Sequence, residues 1–149
     1  MSHSADQHLH NDSLLSKNFL TLKALSAVYV VGIPLSHFSL PHAMVWEVAV
    51  FFLIAMLFTY PIAAVLQNQD VWKEVAVSLA LATLGIVGLA FSMPVLIIVG
   101  IFGHGAWDLA KHYGAGCGFF RWYVDGCVTV DWLYAAALCS YLYATGGAA

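Results

Sequence analysis

Apolar residues run along this chain in five long stretches: Phe19 to Phe38, Ala43 to Gln67, Val75 to Phe91, Pro94 to Tyr113 and Val128 to Tyr143, each closed by polar or helix-breaking residues. Each is long enough, or nearly so, for the helix of about twenty residues that crosses a bilayer. In hydrocarbon a helix satisfies every backbone N–H and C=O within one segment, so a helix is the expected element for each stretch. Links such as Ser39-Leu40-Pro41-His42 and Ser92-Met93 are short, which makes successive helices antiparallel neighbours. The pattern predicts an all-α integral membrane bundle of about five transmembrane helices. A single transmembrane domain is expected over 19–145, with a polar, disordered tail over 1–18 and a frayed end over 146–149.

Composition agrees with a lipid-facing exterior. Of 149 residues, 62% are hydrophobic and 9% charged, whereas a soluble domain carries roughly a quarter charged residues. The net charge of -3 is small and thinly spread, which gives no support to a nucleic-acid partner. Three cysteines, Cys117, Cys127 and Cys139, are too few and too unevenly placed for a disulfide framework. The tail reads as no signal peptide. Its His3, His8 and His10, with Asp6 and Asp12, have metal-binding chemistry, but a short polar tail without a fold is the simpler reading.

The basic residues orient the bundle. Lys17 and Lys23 flank the first span, Lys73 lies between the second and third, and Lys111 and Arg121 lie between the fourth and fifth. All five fit one assignment, with the N-terminus cytoplasmic and the C-terminus outside. Pro34 and Pro61 are expected to kink their spans. Gly85 and Gly88, with Gly100, Gly103 and Gly105, are expected to let the third and fourth helices approach closely. The link from Gly114 to Tyr123 carries Phe119, Phe120, Trp122 and Tyr123, which suit the headgroup region as an anchor or as a lid lying on the membrane.

The chemistry gathers in the fourth span. His104, Asp108 and His112 are spaced at i, i+4 and i+8, so each successive pair shares a helix face. The fifth span opens with Cys127 and Asp131 on one face, and Asp131 and Asp108 fall at similar depth in antiparallel neighbours. An ionisable group in a span costs at least a few kcal/mol unless it is paired, hydrated or neutralised. Imidazole nitrogen and carboxylate oxygen are ligands of zinc, iron and manganese, and a divalent cation offsets the repulsion of two buried carboxylates. His104, Asp108, His112 and Asp131 are therefore the expected ligands of a divalent metal, zinc or iron. Asp108 and Asp131 also double as candidate catalytic carboxylates.

Other readings stay open. The same residues suit a proton relay or ion pathway, or acid catalysis on an apolar substrate. His112 and Lys111 can instead lie at the water boundary, with Asp108 bonded to His104 or Trp107. At the opposite face, His37, His42 and Glu47 form a second group, from which Glu47 is a candidate acid/base reaching toward His104. A zinc site of Cys117, Cys127 and His112 has no Cys-x-x-Cys spacing behind it.

Trp46-Glu47, His104-x-x-Trp107-Asp108-x-x-x-His112-x-Tyr113-Gly114 and Cys127-x-x-x-Asp131 together resemble a family of small bacterial multispanning membrane proteins, a domain of unknown function. The resemblance spans the second, fourth and fifth helices. It implies a bacterial inner-membrane location and a shared polar site, without naming an activity. Where the family is richer in histidine after the Trp-Asp pair, this chain has Lys111 before His112. The expected function is a metal-dependent membrane enzyme acting on a lipid-like or other apolar substrate, with hydrolase, oxidoreductase and isomerase undistinguished. The alternatives are a proton or ion pathway and an accessory subunit of a larger membrane complex; membrane lipids and a second copy are the other expected partners.

Overall fold

A computed structural model describes residues 24, 27, 28, 31–33, 35, 37, 40, 41 and 44–146. The chain divides into two compact units, 1–39 and 40–149. In the first unit the described residues between 24 and 37 are helical. Most of the first expected span, Pro34 included, and the histidine-containing tail lie outside the described residues.

The second unit is an all-helical bundle. Its elements are α1 (Val45–Leu57), α2 (Thr59–Leu66), α3 (Trp72–Ala90), α4 (Pro94–Lys111) and α5 (Arg121–Ala144). Helices α1 and α2 run on as one segment of 22 residues, so among the described residues four helical segments are long and apolar enough to cross a membrane. They match the second to fifth expected spans. The fifth begins earlier than expected, at Arg121, which puts Trp122 and Tyr123 in its first turn rather than in the link.

The break between α1 and α2 has an identifiable cause. Pro61 has no N–H to give the Leu57 carbonyl, and the Ser78 hydroxyl of α3 donates to that carbonyl instead, at 2.9 Å. Sharp turns follow from one repeated device at three helix ends. Asn68, Ser92 and Gly114 take left-handed backbone conformations. The next residue's N–H then bonds five residues back, Gln69 to Ala64, Met93 to Gly88 and Ala115 to Ala110. Each turn sends the chain back along the helix it has just left.

Small residues set the spacing between helices. A Cβ on Gly100 of α4 would lie 2.8 Å from Leu53 Cδ2 and 3.4 Å from the Leu81 carbonyl, so α1, α3 and α4 pack at backbone distance there. On the other face of α4, a Cβ on Gly105 would lie 2.7 Å from Trp132 Nε1 and 3.2 Å from Asp131 Cβ. Trp132 stacks on Phe102 at 5.3 Å between centroids, and its indole N–H donates to the Phe102 carbonyl at 3.3 Å. The close contact at Gly105 brings Asp131 up to its neighbour His104.

Candidate functional site

His104, Asp108 and Asp131 converge between α4 and α5, at 2%, 0% and 1% exposure. His104 Nδ1 lies 2.7 Å from Asp131 Oδ2 and 3.6 Å from Asp108 Oδ2. One ligand atom from each of the three residues falls within 4.8 Å of the others. A neutral imidazole that donates from Nδ1 to an ionised Asp131 has its lone pair at Nε2. That Nε2 and both Asp108 oxygens are buried without a hydrogen-bond partner. Leaving such atoms unpaired is costly, and charged groups cost more. The donor set is one imidazole and two carboxylates, so its chemistry and its unpaired atoms fit a cation that bears two positive charges.

Tyr60 closes the site from α2. It is 2% exposed, and its ring stacks against His104 at 6.0 Å and 28°. Its hydroxyl is buried beside the Asp108 carboxylate. Cys127, one turn before Asp131, also stands in the field of both carboxylates.

A second buried group lies on the other side of the sequence ladder. Glu74, in the first turn of α3, accepts from Lys111 Nζ at 2.7 Å, from the Trp107 indole at 3.0 Å and from the Cys117 amide at 2.5 Å. Lys111 Nζ also sits 4.0 Å from the Tyr60 ring centroid. These bonds pin the α4–α5 link across the end of the bundle. Within the link Cys117 is buried, and Phe119 meets the Tyr60 ring edge-on at 5.5 Å. The link thus lies over Tyr60, and burial pushes the Cys117 thiol up to about 12.

Two expected site residues stand apart. His112 turns to the rim, where its Nε2 lies 2.8 Å from Asp125 Oδ1, itself 61% exposed. One further turn along α4 carries the side chain past the end of the packed interior. Glu47 is exposed at the far end of α1, beside a cleft of ≈ 150 Å³ shared with Gly88, Ser92 and Pro94. Pro94 and His104 are ten residues apart on α4, about 15 Å by helical rise, so Glu47 does not reach the His104 group. Cys117, Cys127 and His112 form no metal-ligating group among the described residues. His37 belongs to the first unit, and His42 lies outside the described residues.

Tyr60, Glu74 and the inward course of Lys111 escape a reading based on the ladder alone. Lys111 follows Asp108 by three positions and shares its face, and a lysine turned into the bundle calls for a buried acid. Glu74, one residue after the boundary Lys73, is that acid. Comparison with known proteins finds no matching family model, no matching curated protein and no matching solved structure.

Proposed function

We propose that this chain is a membrane-embedded metalloenzyme in which His104, Asp108 and Asp131 hold a divalent cation and the substrate is lipid-like. The observation that carries the reading is the set of buried, unpaired polar atoms on His104 and Asp108, with Asp131 one hydrogen bond away. Three protein ligands leave coordination positions free for water or substrate, the arrangement of catalytic rather than structural sites. When bound, the metal supplies Lewis acidity to a substrate oxygen or to a water. The chain's own residues do the rest: Asp131 orients the imidazole, Gly105 admits α5, and the link pinned by Glu74 keeps bulk water from Tyr60 and the carboxylates.

Depth favours an apolar substrate. Asp131 lies ten residues into α5, about 15 Å by helical rise, so a molecule that reaches it from the bilayer must itself be apolar over much of its length. In the second unit the other buried charges near the site, Glu74 and Lys111, lie toward one end of the bundle. From Val75 onward α3 has no ionisable side chain, nor has α4 before His104. Along α3 and α4, then, no titratable side chain leads from the other end to the site, which favours the enzyme reading over a proton or ion pathway. We place the end that carries Lys73, Lys111 and Arg121 in the cytoplasm, in a bacterial inner membrane, as the charge pattern and the family likeness suggest.

The test is elemental analysis of detergent-purified protein. Near one zinc or iron per chain is expected, lost in Asp131→Asn with the fold intact. Metal-free wild-type protein that takes up neither ion on incubation would overturn the reading.

A further inference from the structure

The residues around the carboxylates also bear on which metal the site would take. The three ligand candidates leave Asp108 with both oxygens unpaired, and a hydroxyl that stands beside it, able to serve as a fourth donor, comes from Tyr60. That side chain is 2% exposed and its oxygen has no hydrogen-bond partner. Its ring is held in register with the site by stacking on His104. Lys111 Nζ, 4.0 Å from the ring centroid, adds a positive charge beside it.

Resting on the metal reading above, we infer that Tyr60 is the fourth protein ligand and that the centre is built for iron rather than zinc. The two carboxylates alone match a divalent ion; a Tyr60 phenolate adds a third negative charge, so the four-ligand set matches a ferric ion, and its three anionic donors are all hard oxygens. As the iron–oxygen bond forms, the phenol proton leaves to the buffer and no electron is exchanged. Iron accepts up to six ligands, so four from the protein still leave positions open. Neutral Tyr60 serves the metal-free chain well, because a phenol is far cheaper to bury than a phenolate. The stacking and the cation contact keep the ring in place in either condition.

Phenolate bound to ferric iron gives a visible charge-transfer band, which zinc, with its filled d shell, does not give. Wild-type protein loaded with ferric nitrilotriacetate and freed of excess chelate should develop that band at one iron per chain. Tyr60→Phe keeps the ring and its packing, and should bind iron at the same stoichiometry with the band abolished. Tyr134→Phe, a buried phenol whose ring packs against Phe52, should keep the full band. Iron bound by wild-type protein without a visible band, or a band of wild-type strength in Tyr60→Phe, overturns the assignment of Tyr60 alone. Wild-type protein that binds zinc but not iron overturns this inference alone, and wild-type protein that binds neither overturns the metal site and this inference together.

Discussion

Glu74 and Asp108 are both buried to within 1% of complete, yet one carboxylate accepts three hydrogen bonds and the other accepts none. Both belong to one neighbourhood, since Tyr60 touches Lys111 on the Glu74 side and His104 on the Asp108 side. The difference separates a carboxylate satisfied within the protein from one that the proposed reading assigns to a bound ion. Glu74 has its counter-charge and its donors inside the protein, so its work is to fasten α3 to α4 and to the link that follows. Asp108 has an imidazole, a phenol and a second acid for company, and in the proposed reading its compensation comes from a bound cation. A buried ion in hydrocarbon thus reveals its role through what satisfies it, more than through its depth.

The comparison breaks most visibly at Glu74. Glu74→Gln leaves Lys111 buried without a counter-ion and should cost about 3–5 kcal/mol of unfolding free energy, measured in detergent micelles. A variant as stable as wild type would show that the pair is not the fastener described. Gly105→Ala should cost about 1–3 kcal/mol, because the added methyl meets Trp132 and the Asp131 Cβ. It should also lower metal uptake, since α5 must move off His104; undiminished uptake would mean that the spacing at Gly105 does not set the site.

Smaller effects sharpen the same contrast. His112→Ala removes a rim pair with an exposed partner, so about 0.2–1 kcal/mol is expected, with metal content unchanged. Loss of metal in that variant would restore His112 as a ligand. Cys117 has the mildest consequence. Its folded pKa lies above the ordinary thiol value of 9.0, so its contribution is complete below that value and is lost as pH rises toward about 12. In the folded protein it should resist alkylation at pH 8, whereas unfolded protein is labelled at all three cysteines.

The four described spans were legible because lipid imposes a simple rule on sequence: long apolar runs, short links and basic residues at one side. The His104/Asp108/Asp131 meeting was legible for a similar reason, as helical spacing and antiparallel depth suffice to bring i, i+4 and a neighbour together. Spacing fails where a helix leaves the packed interior, and this is why the ladder's third member, His112, turns out to the rim. It also cannot assign the direction of a long flexible side chain. Lys111 reads equally well as a boundary charge or as a buried partner until Glu74 is seen opposite it. Tyr60 is hidden for a different reason, because a tyrosine within an apolar run looks like packing until the Pro61 break aims it at the carboxylates.

The central claim is that Asp108 is compensated by a bound cation, and metal-dependent stability tests it most directly. Unfolding of wild-type protein should shift by about 2.7 kcal/mol when free iron or zinc exceeds its dissociation constant a hundredfold. Asp108→Asn should be at least as stable as metal-free wild type, because a buried charge has been removed, and should show no shift at the same metal concentration. An equal metal-induced shift in Asp108→Asn, or no shift in wild-type protein at any concentration of either ion, would contradict the account.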